Sequence, residues 1–287
     1  MRFRHHPPDP RLSALVQGYL ELEDLHLADP VRSADFPERT VRMMLLAGQM
    51  LAGPSADALR PLPPVMLTRF SLQPQSMVLQ GLLRGLMVEL YPWGARQLLG
   101  WSADQAPGAL DAALSASAWS REVVALLQLG QWDAAREALE AQLLTLAGLQ
   151  DEPGSGVQAA RQIYRSSGVV RVAELAEELN LSARTLERQF AQQVGVGAKT
   201  LARVVRFDTL NTRIRTDPAV LMADLTYELG FFDQAHLIRE FKALSSLTPG
   251  AFAAIAARRQ SNLDLLQDGS DQYLEVGPAP DAELELA

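Results

Sequence analysis

Two arginines, Arg188 and Arg239, occupy equivalent places in two segments that repeat one pattern. The first segment, AELAEELNLSARTLERQF, covers residues 173–190, and the second, ADLTYELGFFDQAHLIREF, covers residues 223–241. An arginine can donate two hydrogen bonds to O6 and N7 of guanine, and such a pair discriminates against a wrong base by about 1–3 kcal/mol. The repeated arginines therefore indicate chemistry that suits the recognition of bases in DNA.

The residues around each arginine form a polar, basic face at helical spacing. Arg184 lies four residues before Arg188, so both side chains project from one side of a helix. The first face comprises Ser182, Arg184, Thr185, Arg188 and Gln192, and the second comprises Gln234, Ala235, His236, Arg239 and Lys242. Lys199, at the start of the next predicted helix, is expected to meet phosphate, a contact that positions a protein without specifying a base.

Alternatives stay open for individual side chains of these faces. Arg184 could pair with Glu187 or Glu177 as an ordinary surface charge, and His236 could contact either phosphate or only solvent. Glu187 and Glu240 lie among the bases and weaken the positive field. DNA binding could therefore require a second subunit.

Each segment is predicted to form two helices with a tight break. Leu175 and Leu179 fall at helical spacing and define an apolar face. Asn180 and Gly230 tolerate the left-handed backbone at the end of a helix. Ser182 and Asp233 can cap the following helix by accepting hydrogen bonds from its free N–H groups. A helix, a short turn and a second helix with a basic outer face constitute a helix-turn-helix motif.

The segment between the repeats, residues 198–215, is predicted to be one long helix that ends at Thr216-Asp217-Pro218, because proline disfavours helix in the residue before it. About 18 residues give a length of about 27 Å, comparable with the ~34 Å between successive major-groove faces. Two ordinary helical hairpins in an all-α enzyme are the alternative. Two copies in matching register favour a double helix-turn-helix.

These residues resemble the DNA-binding domain of AraC/XylS-type transcription regulators. The resemblance is carried by VAELAEELNLSARTLERQF, VGVGAKTLARVVRF, ELGFFDQAHLIREFK and LTPGAF. It implies that the positions that read bases are Arg184, Arg188, Gln234 and Arg239, flanked by Thr185 and His236. The sequence departs from the family pattern at Ala198, Thr226 and Ser246, where the family often has Pro, Ala and Gly.

The charges divide the chain as this interpretation requires. Residues 1–156 contain 12 basic and 17 acidic side chains, residues 157–259 contain 14 and 10, and residues 260–287 contain seven acidic and no basic ones. The surplus of positive charge thus coincides with the repeats, as phosphate binding requires. We predict domains at 1–149 and 157–259, a linker at 150–156 (QDEPGSG), and an acidic, disordered tail at 260–287, for which a contact with the transcription machinery is an alternative.

Residues 1–110 are predicted to be β-rich, because short apolar runs are bounded by Pro and Gly. The Leu- and Met-rich runs could equally be buried helices. The layout resembles the barrel-like (cupin-like) sensor domain of AraC-type regulators, and GLMVELYPWGARQLLGWSADQ resembles a subset whose sensor domain has no well-defined ligand. Residues 110–147 are predicted to be helices with two apolar stripes, which either pack on the barrel or contact a partner. The stripes are Val123, Leu126, Leu127 and Leu129, and Trp132, Ala135, Leu139, Leu143 and Leu146.

Several other classes of function fit the sequence poorly. The chain has no cysteine, which excludes disulfides and thiolate zinc sites. The four histidines lack metal-ligand spacing, and neither a phosphate-cradling glycine loop nor a nucleophile elbow is present. A signal peptide and an apolar run of spanning length are also missing, which makes the cytoplasm the expected compartment.

The sequence thus predicts an α+β protein with a β-rich barrel-like domain, following helices and an all-α double helix-turn-helix domain. We expect a transcription regulator that binds double-stranded DNA, with no catalysis, cofactor or metal. A small-molecule effector, a homodimer and, for an activator, RNA polymerase are the further partners considered. The alternative is a ligand-binding or enzymatic barrel whose helical half is a protein-interaction module.

Overall fold

The computed structural model describes residues 2–68, 70, 72–105, 108–148 and 153–257. It confirms the α+β class: an antiparallel sheet forms the first part of the chain, and helices form the remainder. The predicted acidic tail, 260–287, lies outside the described residues, as does part of the predicted linker. In the described part of the chain, no helix is long and apolar enough to cross a membrane.

The sheet has seven strands. They are β1 (Arg2–His6), β2 (Val16–Asp35), β3 (Val41–Leu46), β4 (Met50–Gly53), β5 (Arg60–Pro61), β6 (Val65–Leu67) and β7 (Gln75–Leu90). The pairing order is β1-β2-β7-β3-β6, and β4 pairs with both β5 and β7. The long strand β7 is therefore the centre of the sheet, since it pairs with β2 along its length and with β3 and β4 on its other side.

Alternating burial explains why one face of this sheet is covered. Val41, Met43 and Leu45 of β3 are almost fully buried, and Val88 of β7, which pairs with Met43, is also buried. This period of two is that of a strand with one face on a core. At Gly81 the backbone is left-handed (φ 112°), and a Cβ there would lie 2.1 Å from the Gln49 carbonyl oxygen, so only glycine fits.

One helix interrupts the region that was expected to be β-rich. Helix α1 (Pro92–Leu99) follows β7 directly. Pro92 occupies the first turn, where a missing N–H leaves no hydrogen bond unmade, and Gly100 ends the helix in the left-handed conformation. The proline and glycine that bound this segment are thus helix-terminal signals rather than strand boundaries.

The following helices differ from prediction at their ends. They are α2 (Ala109–Ala116), α3 (Ala118–Gln128) and α4 (Trp132–Ala147). Ser117 separates α2 from α3 because its side chain accepts a hydrogen bond from the Ser120 N–H and so caps α3. The apolar stripes pack into the core at Val123, Leu127 and Leu139, whereas Leu129, which was placed in the same stripe, is 72% exposed. Leu129 lies beyond the end of α3, so helical spacing no longer applies to it.

Helix α2 also protects an edge of the sheet. Strand β6 is the last strand of the pairing order. Its free N–H groups donate to side chains of α2: Val65 to Ser115 Oγ (3.2 Å) and Leu67 to Asp111 Oδ1 (3.0 Å). Side-chain acceptors thus replace a further strand and keep this edge from pairing with another chain.

Six further helices and a final helical segment form the C-terminal part. They are α5 (Ser155–Arg165), α6 (Val172–Glu178), α7 (Ala183–Val194), α8 (Ala198–Thr216), α9 (Met222–Glu228), α10 (Gln234–Ser245) and residues 249–257. Helix α5 begins inside the predicted linker, at Ser155. The long helix α8 ends at Thr216, as predicted from Pro218.

Two clusters of buried side chains stabilise the chain. The larger cluster runs without interruption from the sheet through α1, α3, α4 and α5 to α6, α7 and the first half of α8. The second cluster joins the last half of α8 to α9, α10 and Phe252. Helix α8 therefore belongs to both clusters, with Leu201 and Val205 in the first and Leu210 and Ile214 in the second.

Candidate nucleic-acid interface

The first helix-turn-helix consists of α6 and α7 and is built by local signals. Asn180 adopts the left-handed conformation (φ 53°) directly after α6, which reverses the chain at low steric cost for this residue type. Ser182 then caps α7 by accepting a hydrogen bond from the Thr185 N–H (3.1 Å). Leu186 and Phe190 are fully buried, so the opposite side of α7 faces outward.

The second helix-turn-helix, α9 and α10, uses the same devices with different residues. Gly230 takes the left-handed position (φ 63°), and Asp233 Oδ1 accepts from the His236 N–H at 2.6 Å. His236 in turn accepts from the Phe232 N–H through Nδ1 (3.5 Å), and its ring meets the edge of Phe231. This reciprocal arrangement resembles a capping box and leaves Nε2 of a neutral His236 as the donor.

The central arginines of both motifs are exposed. Arg184 and Arg188 project from α7, and Arg239 projects from α10. Among the ion pairs of the described residues, none involves these three arginines. The alternative in which Arg184 pairs with Glu187 or Glu177 is therefore not the arrangement found here.

The other predicted contact residues occupy several places on the same elements. The exposed ones are Ser182 and Gln192 on or beside α7, Lys199 at the start of α8, and Asp233, Gln234 and Lys242 on or beside α10. Thr185 and His236 are half-buried. The structure thus brings the polar residues of each repeat onto one helix, while Lys199 lies on the helix between them.

Glu240 was expected to weaken the positive field of α10, but a basic partner accompanies it. Arg203 of α8 pairs with Glu240, with Nε and Oε2 2.9 Å apart. Similarly, Arg213 of α8 pairs with Glu228 of α9 at 2.7 Å. Both acids are therefore compensated, and the ion pairs attach the second motif to the long helix. Because all four side chains are partly exposed, each pair contributes no more than about 1 kcal/mol.

The second motif also carries two exposed aromatic side chains, which the sequence pattern does not predict. Tyr227, near the end of α9, and Phe232, in the turn before α10, are each 91% exposed. Phe232 is the extra residue of the second turn, so the first repeat has no counterpart. Among the described residues, no group of three or more His, Cys, Asp or Glu side chains could hold a metal ion.

The N-terminal part holds the C-terminal end of α7. Arg96 of α1 donates from Nε to the carbonyl oxygen of Gln192 (3.1 Å), and the Ala103 N–H donates to the carbonyl oxygen of Gly195 (2.9 Å). A Cβ on Gly195 would lie 3.1 Å from the Trp101 carbonyl oxygen. The end of α7 that carries Gln192 is therefore fixed against the N-terminal part, whereas the end with Arg184 is free.

The N-terminal part also reaches α8 and the second cluster. Arg39 Nε lies 3.2 Å from Asp208 Oδ2 at the middle of α8, and the Phe36 ring meets Phe252 at 5.7 Å between centroids. Burial raises the pKa of Asp208 above its ordinary value, and the positive charge of Arg39 opposes this shift. The connection between β2 and β3 therefore contacts the elements that position both motifs.

Comparison with known protein families identifies this helical part. Residues 175–255 match the family model described as a helix-turn-helix domain. Together with the doubled motif described above, this match shows that the segment is an AraC-type helix-turn-helix domain, a DNA-binding domain of transcription regulators. It confirms the resemblance inferred from the sequence. No curated protein sequence matches the chain.

Two solved structures align with most of the chain at low identity. The crystal structure of ToxT from Vibrio cholerae O395 covers 81% of this chain and 95% of its own, at 11% identity and a TM-score of 0.42. A structure of the AraC-like transcriptional activator CuxR covers 70% and 88%, at 13% identity and a TM-score of 0.23. TM-scores below 0.5 do not establish a shared fold, so the assignment is based on the domain match.

Proposed function

We propose that this chain is a sequence-specific transcription regulator that inserts α7 and α10 into neighbouring turns of the major groove. The observation that carries the proposal is the equivalence of Arg188 and Arg239. Both arginines lie at the same position of their repeat, both are exposed, and both lack an ion-pair partner among the described residues. An arginine that is neither buried nor paired is available to a base edge or a phosphate.

The dimensions of α8 support simultaneous contact by both motifs. Its 19 residues give a helix of about 28 Å, at 1.5 Å per residue. Successive faces of the major groove lie about 34 Å apart. With one motif packed at each half of α8, the two outer helices can meet one side of a duplex.

The predicted contacts then divide into two groups. Arg184, Arg188, Gln234 and Arg239 would read bases, because arginine and glutamine can form paired hydrogen bonds with guanine and adenine respectively. The remaining candidates would position the domain through phosphates: Ser182, Thr185, Gln192, Lys199, Asp233, His236 and Lys242. Asp233 belongs to this group only indirectly, since its carboxylate repels phosphate. By capping α10 it would position the backbone N–H groups at the start of this helix.

Binding to DNA selected from a random-sequence pool tests the proposal. We expect Arg188→Ala and Arg239→Ala each to weaken binding to the selected site by about tenfold or more and to relax the base preference in one half-site each. Arg60→Ala, an exposed arginine of β5, is the matched control and should bind as the parent does. Equal selectivity of the parent and both variants would refute the assigned sites.

Salt dependence separates the two groups of contacts. The logarithm of the binding constant falls linearly with the logarithm of salt concentration, with a slope of about −0.9 per phosphate contact. We expect Lys199→Ala to make the slope less negative by about one contact while leaving the base preference unchanged. A slope equal to that of the parent would exclude a phosphate contact for Lys199.

For the N-terminal part, we propose a role in sensing an effector or in forming a homodimer. Its support is the direct contact of the connection between β2 and β3 with α8 and Phe252, through which a change in this part would reach both motifs. Sedimentation equilibrium of the full chain tests the homodimer. Thermal unfolding against a metabolite library, followed by DNA binding with each stabilising compound, tests the effector. RNA polymerase is a partner only if the regulator activates transcription, and we propose no catalytic role.

A further inference from the structure

The two halves of the helical part are connected not only by the continuous helix α8 but also by the side chain of Arg206. Arg206 is the ninth residue of α8 and is half-buried. Its Nη2 donates to the carbonyl oxygen of Gly168 (2.8 Å), in the connection between α5 and α6 of the first motif. Its guanidinium carbon lies 5.4 Å from the centre of the Phe231 ring, in the turn of the second motif. One side chain therefore connects the segment that leads into the first motif with the turn of the second motif.

The backbone of the segment that leads into the first motif approaches α8 very closely at this place. Gly168 is left-handed (φ 78°), and a Cβ there would lie 2.3 Å from the Ala202 carbonyl oxygen and 2.8 Å from the Arg206 nitrogen. Only glycine allows this approach, since any side chain would collide with helix backbone. The carbonyl group of Gly168 is consequently held within reach of the guanidinium group.

The segment that leads into the first motif also touches the second motif beside Arg206. A Cβ on Gly230, in the turn of the second motif, would lie 2.9 Å from Cγ1 of Val169, which follows Gly168. One helical turn before Arg206, Arg203 pairs with Glu240 of α10. The segment that leads into the first motif is thus joined to the second motif directly by van der Waals contact, and through Arg206 by a hydrogen bond and by a cation over an aromatic ring.

Partial burial makes these contacts hard to replace by water. Burial lowers the pKa of Arg206 from its ordinary value, and the nearby carboxylate of Glu240 opposes the shift. A guanidinium group with reduced hydration gains more from an aromatic face than an exposed one does. If the contact with Gly168 or Phe231 is lost, water cannot fully replace it. The guanidinium charge of Arg206 is then left only partly solvated.

We propose that Arg206 is a positioning residue that fixes the distance and angle between α7 and α10, so that the protein accepts one spacing between two half-sites in DNA. The inference rests on the proposed function, since it specifies how the two motifs share one duplex. One inserted base pair moves a half-site by about 3.4 Å along the DNA axis and by about 35° around it. A rigid pair of motifs cannot follow this displacement, whereas a pair connected by α8 alone could follow part of it.

A distance measurement without DNA tests the rigid connection. The chain has no cysteine, so Ala191→Cys on α7 and Ala243→Cys on α10, both exposed, place one spin label on each motif. We expect a narrow distribution of label-to-label distances by double electron–electron resonance in the parent and a broader or displaced one with Arg206→Met. Methionine keeps an aliphatic stem on α8 but cannot donate to Gly168.

Two further variants separate positioning from general stability. Arg213→Met removes an arginine of the same helix whose partner, Glu228, belongs to the second motif alone, and it should leave the distances as in the parent. Phe231→Leu keeps an apolar side chain in the second cluster but removes the aromatic face. Its effect should not add to that of Arg206→Met, because both variants break the same contact.

Binding to sites of altered spacing supplies the functional measurement. We expect the parent to prefer its selected spacing strongly over sites with one base pair inserted or deleted. Arg206→Met should weaken binding to the selected spacing by about tenfold and change binding to the altered sites less, so that the preference shrinks. Arg213→Met should keep the preference of the parent.

The outcomes are distinguishable. An equal loss of affinity at every spacing, or narrow and unchanged label distances with Arg206→Met, would overturn the positioning role of Arg206. A parent that selects no DNA site would overturn the proposed function, while the label distances would still decide whether Arg206 joins the two motifs. Unfolding curves of each variant show which differences arise from loss of folding.

Discussion

The two helix-turn-helix motifs repeat one sequence pattern, yet their apolar side chains are buried in different clusters. Leu186 and Phe190 of the first motif belong to the large cluster that extends into the sheet. Leu237 and Phe241, their equivalents in the second motif, belong to a small separate cluster at the far half of α8. The N-terminal part reaches this small cluster through Phe36 and Leu72, which pack against its rim. One pattern therefore yields one motif that shares a core with the sheet and one with a core of its own.

This difference assigns distinct roles to the two motifs. A change in the N-terminal part would act directly on α7, because Arg96 and Trp101 contact the C-terminal end of this helix. The second motif follows mainly through α8, through Arg206 and through the Phe36–Phe252 contact. Local stability should therefore differ between them, since it depends on how many buried contacts an element shares with the rest of the chain.

The largest expected effect comes from Phe190→Ala and Phe241→Ala, a matched pair at equivalent, fully buried positions. Each should lower the free energy of unfolding by about 3–5 kcal/mol. Hydrogen exchange should accelerate in the strands as well as in α5–α7 and the first half of α8 for Phe190→Ala, but only in the second half of α8, α9, α10 and residues 249–257 for Phe241→Ala. The same segments responding to both variants would contradict the division into two cores.

The ends of α7 and α10 provide a smaller contrast. Gly195 and Ser246 are equivalent, and both are left-handed, with φ of 79° and 62°. Gly195→Ala should destabilise by about 1–2 kcal/mol, since its Cβ would also press on Trp101. Ser246→Gly should stabilise the protein by about 0.5–1 kcal/mol. Glycine adopts the left-handed conformation without the steric strain of serine, and this gain exceeds the cost of the larger conformational entropy that glycine gives the unfolded chain. Urea denaturation measures both, and a loss of stability with Ser246→Gly would show that the serine side chain is needed in this turn.

The smallest expected effect concerns pH and the contact between the sheet and α8. The raised pKa of Asp208 means that the folded state holds this proton more tightly than the unfolded state, whose ordinary value is 3.8. Its contribution to stability is therefore present below that value and falls as pH rises through the raised pKa. Asp208→Asn should remove this fall, and Arg39→Met should steepen it, because the opposing positive charge is lost. Urea denaturation at a series of pH values above 3.8 measures both slopes, and identical slopes in all three proteins would refute the assignment to Asp208.

The motifs could be predicted from sequence because their signals are local. Asn180 and Gly230 mark left-handed turns, and Ser182 and Asp233 accept hydrogen bonds from residues three positions later. Such signals depend on a few neighbouring residues, and a repeat doubles their weight. The burial of Phe190 and Phe241 follows from the same helical spacing.

The remaining features depend on residues far apart in the chain. Glu240 looked like an unpaired acid, but Arg203, 37 residues earlier, neutralises it. The contacts of Arg206 do not follow from the sequence, because neither Gly168 nor Phe231 is near it in the chain. Helix α1 does not follow from the sequence pattern, because Pro92 fits the end of a strand as well as the first turn of a helix. Tertiary contacts decide each of these cases.

The continuous core between the sheet and the first motif limits how this protein could be re-engineered. Regulators with new inputs are often sought by joining a foreign sensor to a DNA-reading module at the intervening linker. In this chain, such a join at residues 150–156 would strip Val157, Ile163 and Phe190 of part of their cover. A hybrid would fold well only if the new sensor offered an apolar surface complementary to the side of α7 that packs against α1. The first motif thus depends on the N-terminal part for a share of its own core.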